Sequence, residues 1–238
     1  MALGLYEEVT FDTLPHPAIR LPVLLVIENA ICAAWDIVRR QPRAGFDLAT
    51  ATEDSITLEL HEALYDRVYN RGVVAGFDAE VFSGIEREAK IRNYDREHPD
   101  KMPDFIIRLI GRPPGIRNTQ DGLFVECKPV DKNHPLLTDY CKRGLVRFTT
   151  GQYAWAMSTA MMVGYTNADY RVSPSLTAVL KDWPENNTNT IVRPCSRSTP
   201  SPASEATHMT EHQRGFIYLE TKRQAPAITI RHLWLRRD

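Results

Sequence analysis

The segment from Asp121 to Lys128, which reads Asp-Gly-Leu-Phe-Val-Glu-Cys-Lys, constrains the fold more than any other part of the sequence. Asp121-Gly122 is typical of a turn, and the apolar residues after it are typical of a strand. Residues two apart in a strand point to the same face, so Glu126 and Lys128 are expected side by side. Burying a carboxylate and an ammonium on an apolar strand is costly. We therefore expect a functional site here, or else a surface strand whose ion pair adds little stability.

The length and composition fit a globular α/β chain. It has 238 residues, of which 43% are hydrophobic and 25% charged, so it can bury a sizeable core. We divide it into an N-terminal helical extension, residues 1–45, and a main domain, residues 46–238, with a long loop at 182–214. The formal net charge of −1 gives no overall attraction to nucleic acid, so a polyanion would have to meet local basic patches.

Cysteine usage and hydropathy indicate a cytoplasmic protein that does not enter membranes. The four cysteines are scattered, which is typical of a reducing compartment and argues against a disulfide framework. The most apolar stretch, Leu21–Trp35, contains Glu28 and Asn29 and is short for a bilayer span. The acidic N-terminal residues do not resemble a signal peptide.

Two helices are predicted before the first strand. Apolar residues at helical spacing predict a helix over Pro22–Arg40, which packs on the core or forms a dimer contact. A second helix is predicted over Glu53–Asn70, with Thr52 as its N-cap. Glu53 projects near the apolar stripe of this helix and Glu59 lies beside it, so either could be the acid that reaches a site. A glutamate at a helix start also suits the helix dipole, so a capping role stays open.

The remaining elements are predicted from periodicity and turn signals. The first three strands are expected to form a meander, and a long helix follows the third. We predict strands over Gly84–Asn93, Met102–Ile110, Asp121–Lys128, Ala168–Leu180, Gly215–Glu220 and Ala227–Leu235, and the long helix over Leu145–Val163.

The order of these polar residues resembles that of the PD-(D/E)XK, or restriction-endonuclease-like, nuclease superfamily. The matching residues are Pro103-Asp104 and Glu126-Cys127-Lys128, with Glu53 as the upstream helix acid. The resemblance covers roughly residues 50–180 and implies an α/β fold in which helices flank a central mixed sheet, in αβββαβ order. It also implies that Asp104 and Glu126 bind Mg²⁺, that Glu53 completes the metal shell, and that Lys128 is catalytic.

Physical chemistry supports these residue types independently of the family. Hydrolysis of a phosphodiester places negative charge on oxygen atoms, and Mg²⁺ neutralises such charge. Mg²⁺ prefers oxygen ligands and keeps several waters, so two or three carboxylates suffice, and Mn²⁺ is expected to substitute. On the later helix, Gln152 is expected either to assist the attacking water or to lie exposed.

Several cations are candidates for contact with nucleic acid, and solvation at the surface is the alternative for each of them. They are Arg112 and Arg117 in the turn before Asp121, Lys132 after the catalytic strand, and Arg143 and Arg147 one helical turn apart. A zinc site at His208 and His212 is disfavoured because no third ligand is nearby.

These observations predict a Mg²⁺-dependent nuclease, and the analogy with the superfamily favours a DNA endonuclease over a ribonuclease. Bacterial antiviral defence or DNA repair is the expected context. No DNA-reading module is recognisable, so we expect specificity from a partner subunit, from the structure of the nucleic acid or from the 182–214 loop. A homodimer through Pro22–Arg40 would pair two sites. The alternative is an inactive nuclease fold that serves as an interaction or nucleic-acid-binding scaffold.

Overall fold

Three antiparallel strands form one side of the sheet. The computed structural model describes residues 13–167, 169–183, 193–194 and 206–238. Strands β1 (Phe82–Arg87), β2 (Phe105–Leu109) and β3 (Leu123–Val130) pair in sequence order, which confirms the predicted meander. Gly122 opens β3 with φ of 133°, and a Cβ there would lie 2.8 Å from the carbonyl oxygen of Ile107. The turn before β3 therefore requires glycine.

The sheet continues in parallel on the other side of β3. Strands β4 (Thr159–Thr166) and β7 (Ile228–Arg236) run parallel to β3, and β6 (His208–His212) returns antiparallel. A two-residue strand, β5 (Arg193–Pro194), pairs with β6 and completes the order β1-β2-β3-β4-β7-β6-β5. Every residue of β3 and β4 is buried, as is usual for parallel strands that helices cover on both faces. The fold is thus mixed α/β.

Helices cover both faces of this sheet. On one face lie α1 (Leu21–Arg40) and α2 (Glu53–Glu62), which a π-helical segment, Ala63–Tyr69, extends. On the other face lies α3, in which a π-helical segment, Leu136–Leu145, continues into an α-helical one, Val146–Thr149. Helix α4, made of Val172–Leu176 and Thr177–Lys181, packs against α3. The predicted cap is confirmed, because Thr52 Oγ1 accepts a hydrogen bond from the backbone N–H of Ser55 at 3.3 Å.

Helix α1 packs into the same hydrophobic core as the sheet. Trp35 stacks on Tyr165 of β4, and Glu28 forms a buried ion pair with Arg231 of β7. By length and composition alone, this helix could also cross a membrane, but that is weak evidence, because the core helix of a soluble protein meets the same criterion. Its buried face confirms the prediction of packing on the core, and a homodimer through Pro22–Arg40 stays a prediction.

Four predictions of secondary structure are wrong. The helix predicted over Leu145–Val163 ends at Thr149, and its second half contains β4. The strand predicted over Ala168–Leu180 is helical from Val172 onward, with residue 168 outside the described residues. The loop at 182–214 contains β6, although residues 184–192 and 195–205 are outside the described residues. Gly215–Glu220 makes only an isolated bridge between Ile217 and Gln224, because the chain turns back here and the Tyr218 N–H donates to Arg223 O at 2.9 Å.

Candidate active site

The candidate site lies where β2 ends and β3 continues. Phe105 is the first residue of β2 and pairs with Val125, so the second half of β3 has no partner on that side. The carboxylate of Asp104, one residue before β2, fills this gap, since its Oδ2 accepts the backbone N–H of Cys127 at 2.6 Å. A buried amide without a partner would be costly, so this hydrogen bond stabilises the end of the strand pair.

Glu126 and Lys128 lie side by side on β3, as the period of a strand predicts. Lys128 Nζ is 3.0 Å from Glu126 Oε1, and the side chains are 11% and 1% exposed. Glu53, the first residue of α2, brings a second carboxylate to the same ammonium, with Lys128 Nζ 2.5 Å from Glu53 Oε1. The structure therefore selects Glu53 over Glu59, which instead accepts a hydrogen bond from the backbone N–H of Arg43 at 3.0 Å.

Two further side chains hold Glu126 from the opposite direction. Arg147 of α3 places Nη1 3.0 Å from Glu126 Oε1 and donates to the hydroxyl of Tyr153 at 2.8 Å. The Tyr153 hydroxyl in turn donates to Glu126 Oε2. The turn between these residues requires Gly151, which has φ of 72°, and a Cβ there would come within 2.8 Å of Phe216 and of Tyr94. Packing of distant segments against this turn thus sets the position of Tyr153.

Burial raises the pKa of both carboxyl groups. Burial, together with the charge of Glu126, raises the pKa of Asp104 to about 8, although Lys128 opposes this shift. Burial also raises the pKa of Glu126, against the opposing effects of Lys128, Arg147 and Tyr153. For Lys128 burial lowers the pKa, but the charges of Glu126, Asp104 and Glu53 outweigh it and hold the pKa above its ordinary value.

The donor set of this site fits a hard divalent cation. Even with Lys128 nearby, the pKa of Asp104 is about 8. An added positive charge would therefore stabilise the ionised carboxylate. Glu126 Oε1 lies 3.0 Å from both Lys128 and Arg147, so the cations of the chain already hold this carboxylate in place. Within the described ranges, no group of three or more His, Cys, Asp or Glu residues is arranged to hold a metal. Asp104 and Glu126, on adjacent parts of the sheet, are the carboxylates that would hold such a cation.

The other predicted site residues are distributed more widely. Arg112 donates to both carboxylate oxygens of the buried Asp121 at 2.9 Å, and Arg117 donates to Glu220 at 2.8 Å. Arg143 is exposed and pairs with Asp139 one helical turn away at 2.7 Å. Lys132 is exposed just beyond β3. Binding of nucleic acid by these four residues stays a prediction, whereas Arg147 lies in the candidate site itself.

The sequence places both Gln152 and Tyr153 in the region of a supporting polar residue, and the structure puts Tyr153, not Gln152, in contact with Glu126. Reasoning from the sequence favoured Gln152, for which the described residues show only a backbone hydrogen bond, from its N–H to Arg147 O at 2.9 Å. The spacing of Arg147 and Tyr153 gave no signal, because a helix was predicted through both residues. The disfavoured zinc pair is not formed: His208 and His212 lie on β6 rather than on a helix, and the imidazole of His212 hydrogen-bonds Thr210 at 2.7 Å.

Comparisons of this chain with protein-family models, with curated proteins and with solved structures gave no match. The chemistry of the site therefore has to be argued from its geometry.

Proposed function

We propose that this protein is a Mg²⁺-dependent nuclease that hydrolyses phosphodiester bonds of nucleic acid. The observation that carries this proposal is the convergence of Asp104, Glu126 and Lys128 at the end of the β2–β3 pairing. The element order adds support, because α2, the three-strand meander, α3 and the parallel strand β4 follow one another in αβββαβ order. That order is the one expected of a restriction-endonuclease-like core.

Asp104 and Glu126 would hold the metal ion, which supplies charge neutralisation and lowers the pKa of water when it is bound. The chain contributes the positioning. Arg147 and Tyr153 fix the carboxylate of Glu126, and the Cys127 amide fixes that of Asp104. These contacts reduce the reorganisation that a reaction would otherwise require.

Lys128 provides a permanent positive charge beside the carboxylates. Its raised pKa keeps it an ammonium throughout the physiological range, so it acts as an electrostatic group and not as a general base. We infer that it stabilises the negative charge that develops on the phosphate oxygens and orients the attacking water. Glu53 pairs with this ammonium and would be a third carboxylate ligand if Lys128 turned toward a phosphate.

The wider context is part of the same proposal. We infer that DNA is the substrate, that Mn²⁺ replaces Mg²⁺, and that the protein acts in the cytoplasm in bacterial defence or DNA repair. A partner subunit would supply specificity, and a second copy docked through Pro22–Arg40 would provide a second site for double-strand cleavage.

Digestion of plasmid DNA and of RNA tests the activity. Wild-type protein and Lys128→Ala are incubated with Mg²⁺, with Mn²⁺ or with EDTA. We expect cleavage with either metal, none with EDTA, and a loss of at least ~100-fold in Lys128→Ala, because a preorganised charge is removed from the transition state. Cleavage that persists both in EDTA and in Lys128→Ala would overturn the mechanism.

One observation favours the scaffold as a second candidate. Lys128 already contacts two carboxylates, and such an ion-pair network can serve structure alone. A scaffold would bind nucleic acid or a protein partner but leave DNA and RNA intact with every metal. The same digestion experiment, combined with a binding measurement, therefore separates the two candidates.

A further inference from the structure

A cavity of about 610 Å³ opens at the carboxyl ends of the three parallel strands. This volume is in the range of pockets that enclose small organic ligands. The carboxyl edge of parallel strands is also where open α/β sheets bind their ligands. The cavity is lined by Asp131, Lys132 and Asn133 after β3, by Thr166 and Asn167 at the end of β4, and by Arg237 after β7.

The walls of this cavity lead directly to the candidate active site. Asp131 is three residues beyond Lys128, which corresponds to about 10 Å along an extended chain. The opposite wall includes Ala49, four residues before Glu53. Lys128 and Glu53 contact each other, so short chain segments join two walls of the cavity to the two partners of this ion pair. A nucleotide next to the scissile phosphate could reach this cavity.

The lining offers one group for each part of a nucleotide. Asn167 lines the cavity, and its side-chain amide, which can both donate and accept, suits the hydrogen-bonding edge of a base. Lys132 is exposed, and no contact within the described part of the chain engages its ammonium, which can therefore meet a phosphate. The partly buried ring of Tyr170 provides a surface on which a base can stack.

The charges of the cavity fit one nucleotide better than a run of phosphates. Asp131 and Asp169 both line it, and their carboxylates would repel a polyanion. Arg237 is committed to the fold, since its guanidinium donates to the carbonyl oxygens of Leu48 at 2.7 Å and of Ala49 at 3.0 Å. These bonds anchor the segment that leads to Glu53.

We propose that this cavity binds one unpaired nucleotide of the substrate strand, beside the phosphate that is cleaved. This inference rests on the proposed nuclease function and adds to it a preference for single-stranded or frayed nucleic acid. A paired nucleotide cannot enter, because its base is stacked and its hydrogen-bonding edge is occupied in the duplex.

Binding of a fluorescently labelled tetradeoxyadenylate in EDTA tests the cavity without turnover. We expect wild-type protein to bind it, and Lys132→Ala and Asn167→Ala each to weaken binding about fivefold or more, as the loss of one polar contact implies. Arg71→Ala is the control, because it also removes one positive charge but lies about 25 Å from Glu53, beyond the far end of the helix that Glu53 begins. Equal affinity in wild-type protein and both cavity variants, or no binding by any protein, would overturn the proposal.

Cleavage by the same proteins with Mg²⁺ separates the two proposals. Both proposals are supported if wild-type protein cleaves single strands in preference to a blunt duplex and this preference is smaller in the cavity variants. Lys128-dependent cleavage with the same preference in wild-type and cavity variants overturns the nucleotide site and leaves the nuclease. If the cavity variants lose tetranucleotide binding but the wild type cleaves nothing, the nuclease function fails and the cavity is supported as a nucleotide-binding site. Lys132 is exposed, so Lys132→Ala is expected to fold even if Asn167→Ala does not.

Discussion

Asp104 accepts the backbone N–H of Cys127 at 2.6 Å, at the point where β2 stops and β3 runs on without it. One hydrogen bond thus both closes the strand pairing and aims a carboxylate at the space beside Glu126. Burial of Asp104, with the charge of Glu126 added, raises its pKa. A bound cation would favour the ionised form of this carboxyl group.

Glu53→Gln should lower activity and leave stability almost unchanged. Glu53 is about one third exposed, so the loss of its pair with Lys128 should cost less than about 1 kcal/mol. We expect a roughly tenfold fall in the cleavage rate, because the ammonium loses the partner that positions it. Glu59→Gln is the matched control, since Glu59 contacts Arg43 and not Lys128. Equal rates for the two variants would contradict the role of Glu53.

Tyr153→Phe should reduce the cleavage rate more than Gln152→Ala does. The phenylalanine keeps the packing against Phe148 but removes the hydroxyl that joins Glu126 to Arg147. A buried carboxylate that loses a hydrogen bond is held less firmly, so we expect a loss of about tenfold in kcat. The measurement is kcat for both variants at saturating Mg²⁺. A larger effect of Gln152→Ala would restore the residue favoured by the sequence.

The stability of the metal-free protein should fall as the pH rises toward 8. The pKa of Asp104 is about 8 in the folded protein and 3.8 in the unfolded chain, so the folded state binds more protons between these values. The free energy of unfolding contributed by this group therefore decreases with rising pH and is lost above about 8. Urea denaturation in EDTA at pH 5.5 and 8.5 measures this slope.

Asp104→Asn isolates that contribution from the other titrating groups. Asparagine resembles the protonated acid but does not ionise, so the variant should lack the part of the slope that Asp104 supplies. Identical pH dependence in wild type and Asp104→Asn would show that Asp104 titrates normally.

Arg112→Ala should unfold the protein more readily, whereas Arg143→Ala should not. Arg112 binds both oxygens of the buried Asp121, and its removal leaves that carboxylate with His16 at 3.2 Å as its remaining ionic contact among the described residues. We expect a loss of about 2–4 kcal/mol from Arg112→Ala. The pair of Arg143 with Asp139 is exposed on the arginine side, so Arg143→Ala should change stability by less than about 0.5 kcal/mol. Urea denaturation of both variants gives the comparison.

The sequence predicted the part of the site that depends on local patterns. The period of two in β3 correctly placed Glu126 beside Lys128, and the cap at Thr52 correctly started the helix that carries Glu53. What it could not predict is how segments far apart in the chain meet. Tyr153 reaches Glu126 only because Phe216 and Tyr94 pack against the turn at Gly151.

Errors in the second half of the chain have one physical origin. Strand β4 is buried at every position because both faces of a central parallel strand are covered, and its apolar run at residues 160–163 has no period that separates a strand from a helix. Strand β6 was missed for the opposite reason. Two of its polar residues, Thr210 and His212, are buried and hydrogen-bond each other at 2.7 Å, which the sequence does not reveal.

The rate at which Asp104→Asn cleaves plasmid DNA, at pH 8 and at a Mg²⁺ concentration that saturates wild-type protein, tests the central claim most directly. That claim is that the two carboxylates, which the fold holds together, require a metal ion for their function. We predict a loss of at least ~100-fold with an unchanged or higher melting temperature, because the neutral amide keeps the hydrogen bond to Cys127 but cannot serve as an anionic ligand. Cleavage by Asp104→Asn at the wild-type rate would contradict it.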